Sequence, residues 1–507
     1  MLRSVEVRRF RKGATGRNDD RLTLSQHALT SITREQKKTM NSLNSKDSNG
    51  QLAQGFKPRH VTMLSIAGII GAGLFVGSGH AIAAAGPAVL LAYLFSGLLV
   101  VLVMRMLGEM AVANPDTGSF STYADQAIGR WAGFTIGWLY WWFWVLVIPI
   151  EALAAGHVLN QWFPQIDTWL FALLSIILLV VTNLFSVSKY GEFEFWFAMA
   201  KVVAIIGFIG LGFAVLMGWI PEREASGLSR LMDEHGGFAP NGLSAVVGAF
   251  ITIMFSFIGT EAVTIAAAES SNPAQNIAKA TRSVIWRIGV FYLLSIFVVI
   301  SVVPWNDPLL ASVGSYQRAL ELMNIPHAKL LVDVVVLIAV ASCMNSSIYI
   351  SSRMLFSLGK RGDAPKPLKV TSSAGVPRAA VIASTVLGAG VTLFSYFMPA
   401  GLFQFLLASS GAIALLVYLV IAVSQLRMRR ILRRQNVTLT FKMWLFPWLT
   451  WFVIAFISAA LAVMMVTPEH RMEVSSTIVL ALVISFIGLV TTRHHGQPQR
   501  VAAAESA

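Results

Sequence analysis

GIIGAGLF, residues 68–75, sits in the middle of an apolar run that would otherwise read as a plain membrane helix. Four of its first six residues, Gly68, Gly71, Ala72 and Gly73, are glycine or alanine. Glycine weakens a helix by about 1 kcal/mol relative to alanine, so the hydrogen-bond ladder can open here. An opened ladder inside lipid needs partners for its freed groups. A substrate site answers that need, with freed amides facing an anion and freed carbonyls facing a cation. Close helix packing explains the same glycines, because Gly73 and Gly77 form a small-xxx-small pair. On this stretch alone, packing is the simpler reading. A dinucleotide motif is excluded, since no strand precedes the glycines.

A second interruption changes that balance. FSFIGTE, residues 255–261, again breaks an apolar run with a glycine, and Thr260 and Glu261 put polar atoms at mid-membrane depth. Working outward, the apolar runs fall at about 61–80, 86–110, 130–157, 168–187, 194–217, 243–269, 284–303, 329–356, 379–397, 402–424, 443–466 and 474–492. Each is close to the roughly 20 residues that cross the hydrocarbon core. The two interruptions lie in spans 1 and 6, the first helices of two consecutive sets of five. Matched breaks in corresponding positions point to a binding site between inverted repeats.

Composition agrees with lipid as the solvent. The chain is 55% hydrophobic and 13% charged, where soluble proteins carry about 25% charged residues. The expected fold is an all-α membrane protein with twelve transmembrane helices filling residues 57–492. Orientation follows from the basic residues. One inner connection carries Arg353, Lys360, Arg361, Lys366, Lys369 and Arg378, and the next carries Arg427, Arg429, Arg430, Arg433, Arg434 and Lys442. All the outer connections together carry only Arg223, Arg230, Arg318, Lys329 and Arg471. The positive-inside rule then places both termini in the cytoplasm. The aromatic run GWLYWWFW, 137–144, suits the headgroup level.

Residues 1–56 are polar and basic and lack the apolar core of a secretory signal, so they read as a disordered cytoplasmic tail, with a second tail at 493–507. Met40 opens a polar leader that would serve as a complete N-terminus. Residues 1–39 are therefore either an over-extended start or a basic tail drawn to anionic lipid. The net charge of +14 sits at helix ends and inner loops without a basic, aromatic-interleaved stripe, which argues against nucleic acid. The single cysteine, Cys343, excludes an internal disulfide or a multi-cysteine cluster. The histidines form no intramembrane cluster for haem or metal, so no cofactor is expected.

Three ionisable positions stand out within the spans. Lys201 lies in WFAMAKVVAIIGF on span 5, and an intramembrane lysine costs about 2.5–3.5 kcal/mol unless something compensates for it. Glu109 and Glu151, on spans 2 and 3, read as closer to span ends, where they can act directly, snorkel or pair structurally. Asn345, Ser346 and Ser347 on span 8 either line the path or make interhelical hydrogen bonds, the commoner use of such residues.

These residues and their surroundings resemble the amino acid–polyamine–organocation superfamily and, within it, the bacterial amino acid permeases. AGPAVLLAYLFSGLLVVLVMRMLGEMAVANP (85–115) is similar to the family's signature around the second span. VGSGHAIAAAGPA, PDTGSFSTYADQAIGRWAG, SVSKYGEFEFW, AAAESSNPAQNI and SRMLFSLGKRGDAPK extend the likeness over about 57–492. Within that family TGSFSTYADQAIGRWAGFTIGWLYWWFWVLVIPIEA, VVPWNDP and SSGAIALLVYLVIAVSQLRMR (409–429) are most similar to the permeases of 4-aminobutyrate. The resemblance implies a proton-driven importer in a bacterial cytoplasmic membrane, with the five-plus-five inverted repeat of the leucine transporter type plus two additional helices.

Carried over position by position, the resemblance assigns the substrate site to Ile69, Ile70, Gly71, Ala72 and Gly73 on span 1 and to Phe255, Ser256, Phe257 and Ile258 on span 6. It implies that Phe255 is an aromatic lid over the substrate amine, and gives coupling or gating roles to Lys201, Glu261 and Glu109. Some relatives carry serine where this chain has Ala72, so carboxylate recognition here falls to backbone amides. By family position Lys201 stands where a coupling cation sits in sodium-driven relatives, and a lysine taken out of water can exchange a proton near neutral pH. Its ammonium is expected on carbonyls near Gly68 and Ile69.

A broader α-amino acid permease or exchanger is the alternative within the same class. A membrane enzyme would need a metal cluster, paired carboxylates or a nucleophile–base set, and the sequence offers no persuasive one. A channel fits less well, because paired broken helices suit a midplane site better than a selectivity filter. The expected partners are thus a small amino acid substrate and membrane lipid.

Overall fold

Span 3, Arg130–Trp162, is the axis of the fold. Its 33 residues reach about 50 Å at 1.5 Å per residue. It lies against Thr168–Asn183, Ala328–Arg361, Arg378–Phe394, Leu402–Arg434 and Arg471–His494, which are spans 4, 8, 9, 10 and 12. The computed structural model describes residues 59–61, 63, 70–184, 187–220, 228–232, 236–270, 272–397, 402–468 and 471–494. The expected tails fall outside them, except that Arg493 and His494 continue the last helix. Ile69 and Gly68 also lie outside the described residues.

Among the described residues, nine helices are long and apolar enough to cross a membrane, and there is no β-strand. Thr168–Asn183 and Arg378–Phe394 are shorter apolar helices. Span 7 begins earlier than its apolar run, at Pro273. Proline is favoured in the first helical turn, and the polar stretch after it forms an amphipathic start that a hydropathy window misses. Spans 11 and 12, Trp448–Val466 and Arg471–His494, are peripheral: 17% of the apolar window of span 12 is buried against 78% for span 3. Trp448, Phe452, Leu482 and Phe486 point outward, as lipid-facing side chains do.

The expected interruption of span 6 is present, and span 1 is described from Ile70 onward. At span 1, Ile70 and Gly71 are outside any helix, and a π-helical segment, Gly73–Gly77, leads into Ser78–Ala85. At span 6 the helix Gly242–Phe257 stops, Ile258 turns extended at φ −67° and ψ 143°, and a new helix, Ala262–Ala268, begins after Glu261. Gly259 adopts φ 109°, a conformation that favours glycine over any residue with a side chain. The first half of span 6 packs on span 1, span 2 (Val89–Ala113) and span 10, which brings the two breaks together.

The aromatic run 137–144 corrects the sequence reading. It begins seven residues inside span 3, about 10 Å from the helix start. Tyr140, Phe143 and Trp144 are buried. They wall the middle of the bundle instead of marking an interface.

Candidate functional site

The span 1 break is satisfied by two charged side chains from other helices. Lys201, on span 5 (Val187–Leu216), is fully buried and donates from Nζ to the Ile70 carbonyl at 3.0 Å. One residue past Gly71, the Ala72 amide donates to Glu151 of span 3, at 2.9 Å to Oε2 and 3.2 Å to Oε1. A freed carbonyl thus meets an amine and a freed amide meets a carboxyl group, the polarity that a broken helix favours. Lys201 reaches Ile70 within the described residues, one position beyond the expected Gly68 and Ile69. Glu151 is not near a span end, because span 3 runs on to Trp162 and leaves it deep in the bundle.

Lys201 has a second acidic neighbour on its own helix. Glu194, two turns earlier, is fully buried and accepts from Ser342 Oγ and from Asn345 Nδ2, the latter at 2.7 Å. Both Glu194 and Glu151 lie close enough for their charges to act on Lys201. Asn345 also accepts from Thr182 Oγ1 at 2.6 Å and Asn183 Nδ2 at 2.7 Å, joining spans 4, 5 and 8. Ser346 and Ser347 are buried on the same helix.

The span 6 break is satisfied mostly by itself. Both carboxylate oxygens of Glu261 accept from the Gly259 amide at 3.2 Å, and Thr260 Oγ1 donates to the Phe257 carbonyl at 2.7 Å. Tyr140 of span 3 and Tyr418 of span 10 complete the Glu261 shell, at 2.9 and 3.2 Å. Phe257 stacks on Tyr292, with ring centroids 4.4 Å apart.

Between the breaks lies a narrow cleft walled by Gly73, Phe143, Trp144, Glu151, Phe255 and Ile258, among others. It holds about 10 Å³, the room of about one water. Gly73 keeps it open: a Cβ there would stand 2.6 Å from Ser256 Oγ and 2.9 Å from Phe255 Cδ1. A Cβ on Gly71 would stand 2.5 Å from Glu151 Oε1. Gly73, Phe255 and Ile258 thus share one cavity wall, while Ile70, Gly71 and Ala72 meet the charged partners behind it. Ser256 turns its hydroxyl to Gly73 and accepts at its carbonyl from Tyr292.

Two further regions frame the cleft. A larger cavity of about 340 Å³ lies beyond the π segment, among the ends of spans 1, 3 and 8 and the 311–317 connection. In the opposite direction Tyr190 stacks on Tyr349 at 4.7 Å, Tyr349 donates to Glu269 at 2.8 Å, and Arg353 pairs with Glu269 at 3.4 Å. The smaller cleft is the one that lies between the two breaks, with Gly73 of span 1 and Phe255 and Ile258 of span 6 in its wall. Glu109 stands apart from it. It accepts from Gln425 at 2.9 Å, Arg429 at 3.1 Å and the Met443 amide at 2.6 Å, which ties span 2 to span 10 and to the connection before span 11. Among the described residues no group of three or more His, Cys, Asp or Glu is placed to hold a metal ion.

Glu194, Tyr140 and Tyr418 escaped the sequence reading. The spacing of Glu194 seven residues before Lys201 would put both on one face of a helix, and that signal was present.

The model of the amino acid permease family matches residues 60–496. The chain is 70% identical to the probable GABA permease of Pseudomonas aeruginosa, over 88% of this chain and 94% of that protein. It is 60% identical to the gamma-aminobutyric acid permease of Escherichia coli, over 87% of this chain and 94% of that one. The solved structure of the Eremococcus coleocola manganese transporter superposes with a TM-score of 0.53 at 14% identity, covering 86% of this chain and 94% of that one. At that identity the likeness concerns the fold.

Proposed function

The chain belongs to the amino acid permease family, and on that premise we propose that it imports 4-aminobutyrate across the bacterial cytoplasmic membrane, driven by protons. Identities of 60% and 70% to permeases named for this substrate, over nearly their whole length, support the substrate. The observation that carries the mechanism is the pairing at the span 1 break, Lys201 on the Ile70 carbonyl and Glu151 on the Ala72 amide.

The substrate carboxylate comes to the span 1 amides and the ammonium to the Phe255 ring. Because Glu151 already holds the Ala72 amide, a second carboxylate arriving there meets a like charge. Like charges at one site favour protonation of one of them, so substrate binding and proton uptake become one event. Lys201 exchanges that proton while bracing span 1 at Ile70, and its release frees that carbonyl. A cleft of about 10 Å³ must widen to admit substrate, and the π segment is where span 1 can yield.

Twelve spans in a five-plus-five inverted repeat with two additional helices complete the reading. The 41-residue apolar stretch Gly73–Ala113 contains a turn at Gly86, φ 66°, and so counts as part of span 1 plus span 2. With Thr168–Asn183 and Arg378–Phe394 added to the nine longer stretches, the count reaches twelve. The basic inner connections support cytoplasmic termini. Counterflow in proteoliposomes loaded with 4-aminobutyrate, offered a panel of ω-amino and α-amino acids, tests the proposal. Labelled 4-aminobutyrate should enter in preference to the α-amino acids, and equal entry of both classes would support the broader permease instead.

A further inference from the structure

We propose that the larger cavity is a second binding site for a zwitterionic ω-amino acid, centred on the carboxylate of Asp333, in which substrate waits before entering the cleft between the breaks. The inference rests on the transport function and orientation proposed above, under which this cavity opens to the outside.

Size and position suit the role. An engineered apolar cavity of about 150 Å³ accommodates benzene, and this one offers about 340 Å³. Phe75 and Val76 line it, while Gly73 lines the central cleft. Less than one helical turn of span 1 therefore separates the two.

Asp333 supplies the chemistry. It is 3% exposed, and Trp162 Nε1 donates to its Oδ2 at 2.8 Å. No other hydrogen bond and no ion pair reaches it among the described residues. Lys329, one turn earlier on the same helix, is exposed and makes no bridge to it. A carboxylate taken out of water without a cation is unfavourable, and an arriving ammonium removes that penalty. An inorganic cation would want several oxygen ligands, whereas Asp333 is the single carboxylate among the described residues of the wall. His80, His157 and Gln317 line the same cavity. Their N–H groups can donate to a substrate carboxylate. Gln317 Nε2 already donates to Glu321 at 2.9 Å and keeps a second N–H.

Binding of labelled 4-aminobutyrate to purified protein in nanodiscs tests this in wild type, Gly73→Leu and the double variant Gly73→Leu with Asp333→Asn. Gly73→Leu fills the central cleft, so a weaker binding component should survive in it. That component should be displaced by n-butylamine, should not respond when sodium chloride replaces choline chloride, and should weaken about ten-fold or more with Asp333→Asn, the loss of a charged hydrogen bond. Asparagine still offers Trp162 an acceptor. A folded Gly73→Leu protein with no residual binding, residual binding indifferent to Asp333→Asn, or displacement by sodium would each overturn the second site. Undiminished high-affinity binding in Gly73→Leu would instead overturn the central placement. If Gly73→Leu does not fold, uptake by Asp333→Asn alone decides: a raised KM with kcat retained supports the site, and an unchanged KM overturns it.

Discussion

The two helix breaks that face each other at the centre of this protein are held in different ways. At span 6 the freed groups are met within four residues, Glu261 on the Gly259 amide and Thr260 on the Phe257 carbonyl. At span 1 they are met by Lys201 and Glu151, far away in sequence and on two other helices. A break closed by its own residues depends less on its neighbours, which at span 6 add only the Tyr140 and Tyr418 hydroxyls on Glu261. One closed by ionisable groups from elsewhere changes when either group gains or loses a proton. On the mechanism proposed above, span 6 is the fixed half of the site and span 1 the switchable half.

The largest expected effect comes from filling the space between the two breaks. Gly73→Leu collides with Ser256 and Phe255 and should remove high-affinity 4-aminobutyrate binding while the protein still inserts; normal uptake would show that the breaks do not enclose the substrate. Next is Glu151→Gln, which leaves the Ala72 amide an acceptor but takes away the ionisable group. Accumulation driven by a pH gradient should fall by more than about ten-fold while exchange continues, because the like-charge conflict that couples the proton is gone. Full accumulation would make both breaks equally static.

Glu261→Gln should do less. The amide side chain still accepts from Gly259, and the loss is the difference between a charged and a neutral hydrogen bond, about 1 kcal/mol. Uptake should stay within about ten-fold of wild type, and a loss as deep as that of Glu151→Gln would put span 6 on the switchable side. The effect expected at Phe255 is of a similar order, and it falls on binding. Removing its ring costs at most the cation–π attraction of about 0.5–2 kcal/mol, so Phe255→Ala should raise the dissociation constant by about two- to thirty-fold and Phe255→Trp much less. Equal constants in all three proteins would remove the lid role.

Much of this architecture was legible before any coordinates. The glycines at 71 and 73 taken alone read more simply as close packing, and it was the matched interruption at Gly259 that pointed to a pair of breaks; the isolated Lys201 announced that a carbonyl or carboxylate must meet it. What stayed hidden depended on depth and on distant pairing. Tyr140 and Trp144 look like interfacial aromatics by composition, and only the full length of span 3 carries them to the centre. Glu151 read as near a span end for the same reason. Glu109 reads as an intramembrane acid from sequence, yet its partners Gln425, Arg429 and Met443 lie more than three hundred residues away, beyond the reach of any local pattern. The split at Ile258 was expected, but the inward turn of Tyr418 onto Glu261 carried no signal at all.

Lys201→Arg in proteoliposomes, with an imposed pH gradient and labelled 4-aminobutyrate, tests the switchable break most directly. Arginine can still brace the Ile70 carbonyl but cannot deprotonate. The account predicts counterflow without accumulation, and no dependence of uptake on external pH. Accumulation by Lys201→Arg with the wild-type pH dependence would contradict it, leaving Lys201 as a brace and the proton's path elsewhere.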